Sequence, residues 1–196
     1  MNVKELLDDL ISEELPPREG NSLLERLLKD CRDGLIMEFG VATGASFGLI
    51  LGYTDRDCYG FDSFKGLPED APGWQAGTFA CAPPVFNTPR AHIIEGLIQD
   101  TLPGFLLQHS APAAFVHIDT DIYSSCKYIL NTLYNADKLV PGTIILFDEL
   151  FNCENNSYRD WEPNEYRAFV EFGETTGIQI EFLGRREANS YAFRII

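Results

Sequence analysis

Short apolar runs alternate with helical patterns along this chain, and nearly every apolar run stops at a glycine or an acid. LIMEFG (35–40), CYGFD (58–62), HIIEG (92–96), AAFVHID (113–119) and TIILFDE (143–149) are nearly continuous in hydrophobicity rather than alternating. Strands of that kind belong to a parallel sheet buried on both faces by helices. Helical spacing of apolar residues fills the gaps at 45–53, 101–108, 124–137 and 165–177, the last closed by Gly177. IQIEFLG (178–184) and SYAFRII (190–196) follow with a short link, which reads as an antiparallel hairpin. The expected class is therefore α/β: a doubly wound, mostly parallel seven-stranded sheet with a C-terminal antiparallel hairpin.

Two helices precede the first strand. Val3, Leu6, Leu7, Leu10, Ile11 and Leu15 recur at helical spacing until Pro16 and Pro17 stop them. A second helix, capped by Asn21 or Ser22, carries Leu23, Leu24, Leu27 and Leu28. Residues 1–33 thus read as helices packing on a core domain of 34–196, and the amphipathic first helix would suit a homo-oligomer. Residues 66–90 break the alternation. They hold five of the eleven prolines together with Trp74, Phe79 and Phe86, a density of aromatics that fits an ordered lid-like insertion.

Charge narrows the partners. Fifteen basic against thirty acidic residues give a net charge of −15. A general nucleic-acid binder needs a basic face to displace counterions, and an anionic membrane needs a polybasic patch, so neither is expected. The N-terminus lacks the apolar stretch of a secretory signal. The uncharged segment from Phe39 to Thr54 is too short to span a bilayer and carries four glycines. Cys31, Cys58, Cys81, Cys126 and Cys153 are odd in number and form no C-x-x-C pair, which suits reduced thiols in the cytoplasm.

In doubly wound sheets ligands bind beyond the carboxyl ends of the strands, so those ends carry the chemistry. Glu38-Phe39-Gly40-Val41-Ala42-Thr43-Gly44-Ala45-Ser46 places an acid before two glycines and a helix start. The glycines admit a ligand close to backbone, and the helix N-terminus offers N–H groups to a carboxylate; a plain tight turn is the alternative. Asp62, ending the second strand, can accept both hydroxyls of a ribose or cap the Asp62-Ser63 turn. Gln99 can read a purine edge. Asp119-Thr120-Asp121 and Asp148-Glu149 gather four carboxylates at two strand ends, where a divalent cation such as Mg²⁺, Ca²⁺ or Mn²⁺ would relieve their repulsion. The alternative gives Asp121 or Ser124 to a helix cap and Asp148 to backbone N–H groups. His117 reads as a satisfied core histidine or a supporting residue of the site; His92 and His109 are assigned no chemistry.

These residues resemble a class I S-adenosylmethionine-dependent methyltransferase with a Rossmann-like fold. GFDSFKGLPED (60–70), QDTLPGFL (99–106), HIDTDIYSSCKYIL (117–130), LVPGTIILFDEL (139–150) and WEPNEYRAFVEF (161–172) are similar to the macrocin O-methyltransferase family. The resemblance implies that Glu38, Gly40 and Gly44 shape a methionine pocket with Ser46 near the carboxylate. It places Asp62 on the ribose, Ile98 and Gln99 along the adenine, and Asp121, Asp148 and Glu149 on Mg²⁺. Asp119 would contact the cofactor, join the metal shell or act as general base. Glu149 stands where relatives commonly have aspartate or asparagine. The implied activity is Mg-assisted O-methylation of a small-molecule hydroxyl, on a sugar or another natural-product diol. The 66–90 segment would close over the site, and the loop 151–163, with Tyr158 and Trp161, would wall the acceptor. A nicotinamide-dependent oxidoreductase lacks the usual glycine pattern here, while a non-catalytic cofactor-binding subunit would not need a chelate and a metal-dependent hydrolase leaves Glu38, Gly44 and Asp62 unexplained.

Overall fold

The structure, a computed structural model, describes residues 1–152 and 161–196. Its strands are β1 (Leu35–Phe39), β2 (Cys58–Asp62), β3 (Ala91–Glu95), β4 (Ala113–Ile118), β5 (Ile144–Phe147), β6 (Ile180–Arg185) and β7 (Tyr191–Ile195). The helices are α1 (Val3–Ser12), α2 (Asn21–Asp30), α3 (Ala45–Tyr53), α4 (Ile98–Gln108), α5 (Tyr123–Asn135) and α6 (Arg167–Thr176). The strands form one sheet in the order β3-β2-β1-β4-β5-β7-β6. All pairs from β3 to β5 are parallel, and β7 is antiparallel to both neighbours. The expected sheet and hairpin are both present, and the order reverses between β1 and β4.

Why the central strands read as unbroken apolar runs is visible in the two cores. Met37, Phe39, Val116, Ile118, Ile145 and Phe147 face α1, α4, α5 and α6. The alternate residues Ile36, Phe115, Ile144 and Leu146 face α2 and α3. Every position of β1, β4 and β5 is buried, because successive side chains point to opposite, equally covered faces. The apolar face of α1 is used within the chain: Val3 and Leu7 are fully buried, and a Cβ on Gly173 of α6 would fall 2.4 Å from that of Val3.

Element edges differ locally from the sequence reading. The first helix ends at Ser12 rather than running to 15, and α4 begins at Ile98, three residues early, with Pro103 inside it. Proline cannot donate to the carbonyl four residues back. The Tyr128 hydroxyl of α5 takes that Gln99 carbonyl instead, at 3.3 Å. The helix expected from 165 starts at Arg167 and is preceded by a π-helical turn, Glu162–Tyr166, broken at Asn164 (φ −98°, ψ −127°).

Candidate active site

A cavity of about 390 Å³ opens at the carboxyl ends of β1, β2, β3 and β4, where the strand order reverses. Its size falls in the usual range for small-molecule sites. Gly40, Ala42, Asp62, Ser63 and the segment Gly96–Gln99, which leads into α4, form one part; Asp119, Thr120, Asp121, Ser125 and Glu149 form another. Leu67, Pro68, Trp74 and Phe79 of the β2–β3 excursion line it as well.

The glycine loop is built against its neighbours. A Cβ on Gly40 (φ +89°) would lie 1.7 Å from the carbonyl oxygen of Asp119, so only glycine lets the ends of β1 and β4 meet. Asp62 holds the same loop: one carboxylate oxygen accepts the N–H groups of Val41 (2.8 Å) and Ala42 (2.7 Å), the other that of Phe64 (2.7 Å). A carboxylate has about four acceptor positions, so at most one remains for a ribose hydroxyl. Gly44 begins α3 with φ +84°, and Phe86 and Pro84 of the excursion pack beside its Cα. Neither Gly44 nor Ser46 lies on the cavity wall.

Glu38, expected in a methionine pocket, is instead wholly buried beneath it. Parallel register pairs Glu38 of β1 with His117 of β4, and the same parity continues to Asp148 just beyond β5. The Glu38 carboxylate lies 2.7 Å from His117 Nδ1, and His117 Nε2 lies 3.6 Å from Asp148 Oδ1. Arg186 Nη1 and Ser190 Oγ, from the β6–β7 link, donate to that same Asp148 oxygen at 3.1 Å each. A charge ladder thus crosses four strands. Burial opposes an imidazolium, but Asp148 and Glu38 on either side overcome it and raise the His117 pKa to about 10. Although burial pushes Asp148 up, His117, Arg186 and Ser190 hold it below the usual carboxylate range.

The remaining acids are pushed the other way. Burial, then the charge of Asp148, raises Asp119 well above its ordinary value and brings Asp121 to about 7. Burial likewise brings Glu149 to about 7, although Asn189 donates to it at 2.7 Å. Asp121 does not cap α5, whose N-cap is Ile122 without a side-chain bond. It adopts φ +62°, unusual for a residue with a side chain.

Sequence reasoning missed one acid. Glu165 of the π-helical turn is fully buried and accepts the Thr120 N–H (3.1 Å) and hydroxyl (3.2 Å). Burial first, then the charges of Asp121 and Glu149, moves its pKa to about 8 despite the Thr120 bond. The available signal was an acid on the apolar stripe shared with Phe169 and Phe172. Tyr158 and Cys153 lie outside the described residues; Trp161 packs on Phe151 and Tyr166.

The cavity fits an adenosyl cofactor by its volume and its loop backbones, and it leaves a donor to spare: the buried Trp74 Nε1–H has no hydrogen-bond partner among the described residues. A divalent cation fits less well. The donors are hard oxygens, as Mg²⁺ requires. Yet no group of three or more His, Cys, Asp or Glu side chains converges to hold an ion among the described residues, and Asp148 Oδ1 and Glu149 Oε2 are already engaged. Four cysteines are free thiols, and no helix among the described residues is long and apolar enough to cross a membrane.

Known proteins share this fold. The fold matches CalS11, a calicheamicin methyltransferase, with a TM-score of 0.67 and 23% identity over 97% of this chain and 90% of that one. An apo structure of CalS11, described as a TDP-rhamnose 3'-O-methyltransferase, matches at TM-score 0.61 and 25% identity over 97% and 80%. The O-methyltransferase NovP matches at 0.66 and 20% over 89% and 79%. An O-methyltransferase from Bacillus cereus in complex with SAH matches at 0.55 and 14% over 98% and 87%. A search of curated protein sequences finds no match. The profile of the methyltransferase domain family matches residues 37–150, a stretch that runs from β1 through the acids after β5, and the chain belongs to that family.

Proposed function

We propose that the chain transfers the methyl group of S-adenosylmethionine to a hydroxyl of a small molecule, a sugar or another natural-product diol. One observation carries this reading: a single cavity joins the glycine loop at Gly40 and Ala42, the Gly96–Gln99 segment and the acids Asp119, Asp121 and Glu149. CalS11, at 25% identity, is described as acting on a nucleotide-linked sugar, which supports a sugar hydroxyl as acceptor.

When bound, the cofactor supplies an electrophilic methyl group; the C–S bond breaks as the O–CH₃ bond forms, leaving S-adenosylhomocysteine. The protein's part is to hold the acceptor oxygen about 3–3.5 Å from that methyl, opposite sulfur. Gly40, Asp62, Ile98 and Gln99 would position the cofactor, Gly44 and Ser46 supporting the loop from behind. Asp119, whose basicity burial and the charge of Asp148 raise well above that of an ordinary carboxylate, is suited to take the hydroxyl proton as general base. Trp74 and Phe79, packed on the excursion with ring centroids 4.9 Å apart and planes tilted by 58°, exclude water from the acceptor side. The excursion is tied down there: Ser124 donates to Glu69 at 2.6 Å, and Asn164 donates to the Pro72 carbonyl at 3.2 Å.

The finer reading, assistance by Mg²⁺, requires regrouping. Asp121, Asp148 and Glu149 would have to draw together, with Asp148 exchanging Arg186 for the ion. No step above depends on it. The experiment has two arms. Calorimetric titration with S-adenosylhomocysteine should show binding; none would overturn the methyltransferase reading. Incubation of radiolabelled S-adenosylmethionine with TDP-rhamnose and a panel of sugar and catechol diols, with and without EDTA, then reads transfer. Label entering no hydroxyl compound would overturn the acceptor class, and EDTA-insensitive transfer would remove the metal.

A further inference from the structure

Beneath the cavity, the turn after β4 is unusual in two ways. Asp121 holds φ +62°. Its neighbour Thr120 is buried and donates both its backbone N–H and its hydroxyl to one oxygen of Glu165. A residue with a side chain in the left-handed region is strained and persists only where its surroundings over-determine it. Within the turn itself, only the bond from Ile122 N–H to the Thr120 carbonyl closes the backbone. Two holds come from outside: the Asp119 N–H donates to the Phe39 carbonyl of β1 at 2.9 Å, and Glu165 takes both donors of Thr120, the residue beside the strained Asp121.

Glu165 is not placed there by a regular helix. It lies in the π-helical turn 162–166, and wide turns of this kind are often found at functional sites. The break at Asn164 turns two adjacent polar side chains inward, 1% and 0% exposed. Asn164 reaches the Pro72 carbonyl of the excursion, and Glu165 reaches Thr120. The second oxygen of Glu165 is buried with no hydrogen-bond partner among the described residues. Leaving a carboxyl oxygen unpaired is costly, so the group is not explained by stability alone.

We propose that Glu165 is a positioning residue for methyl transfer: through Thr120 it fixes the turn that presents Asp119 and Asp121 to the cavity. The proposal rests on the reading above, in which Asp119 and Asp121 line the cavity that takes the cofactor and Asp119 receives the acceptor's proton. Asn164, on the same turn, ties the excursion to that floor, so one element sets both the floor and the cover of the site.

S-adenosylhomocysteine is the probe, titrated by calorimetry into the wild type, Glu165→Ala, Glu165→Gln and Thr120→Val, with melting temperatures measured alongside. Glu165→Ala should weaken binding by about tenfold, the equivalent of leaving one buried donor of Thr120 unsatisfied. Glu165→Gln keeps an acceptor for Thr120 and should restore binding to within about threefold of wild type. Thr120→Val keeps the backbone N–H and the shape but loses the hydroxyl, and about threefold weaker binding is expected. A purely structural role would lower the melting temperature of Glu165→Ala and leave the affinity of the folded fraction unchanged. Affinity within twofold of wild type in folded Glu165→Ala would therefore overturn the proposal, as would a Gln variant no better than Ala. Should Glu165→Ala fail to fold, unchanged affinity in Thr120→Val overturns it equally. If the wild type itself binds no S-adenosylhomocysteine, the methyltransferase reading fails first and the inference with it.

Discussion

Replacing His117 with Asn should change how the stability of this protein depends on pH, more distinctively than it changes stability at any one pH. His117 is buried between Glu38 and Asp148, and its folded pKa of about 10 stands against an ordinary value of 6.5. The raised value means that the native state binds a proton the unfolded state has lost between those limits. Its contribution is therefore complete below pH 6.5 and is lost as pH rises towards 10. The gap corresponds to roughly 5 kcal/mol as an upper bound, at a slope of at most about 1.4 kcal/mol per pH unit. Asp148 keeps Arg186 and Ser190 when the imidazole loses its charge, so Glu38 is the group left with the weaker partner. Urea unfolding at pH 7, 8 and 9, extrapolated to water, reads the slope directly. The wild type should lose about 1 kcal/mol more than His117→Asn for each unit in this range. At pH 6 the variant should be less stable by about 3–5 kcal/mol, because a buried carboxylate loses its cation. Parallel pH profiles for the two proteins would refute the buried imidazolium and with it the charge ladder.

Two further outcomes follow from the cavity wall. Asp62→Ala removes the acceptor for three backbone N–H groups, which should cost about 3 kcal/mol and lower the melting temperature by about 6–12 °C; a shift under 2 °C would show that the loop holds itself. Asp121 and Glu149, both raised to about 7, are neutral below that pH and charged above it. The cationic S-adenosylmethionine should therefore gain affinity over the neutral S-adenosylhomocysteine by about fivefold from pH 6 to pH 8. A constant ratio in paired titrations would place both carboxylates away from the sulfonium.

Particular residues mark how far the sequence could be read. The strand ends at Gly40, Asp62, Asp119, Asp121 and Glu149 all reach the cavity, because an unbroken apolar run has one place where polar residues begin, and in a parallel sheet those places share an edge. Glu38 looked like another strand-end acid. It sits one residue inside β1, and the pleat sets it against His117 rather than on the cavity wall. Asp62 could hold a ribose or cap the turn at Ser63, and three N–H groups, among them that of Phe64, occupy most of its lone pairs and leave one acceptor position. The charge of −15 acquires a division of labour: Glu38 and Asp148 are balanced by His117 and Arg186, whereas burial raises Asp119, Asp121, Glu149 and Glu165 above the usual carboxylate range.

By itself, the sequence determined the strand and helix alternation, the seven-stranded sheet with its hairpin and the edge on which chemistry gathers. Those are consequences of periodicity and local turn chemistry, which each segment carries within itself. Only the tertiary structure decided which acids meet each other. Arg186 and Ser190 reach Asp148 from forty residues away, and Glu165 reaches Thr120 from a turn whose break at Asn164 no pattern announces. Whether a carboxylate is a paired anion or a half-titrated acid depends on burial and on the charges that long-range contacts bring beside it, and no local stretch of sequence contains either.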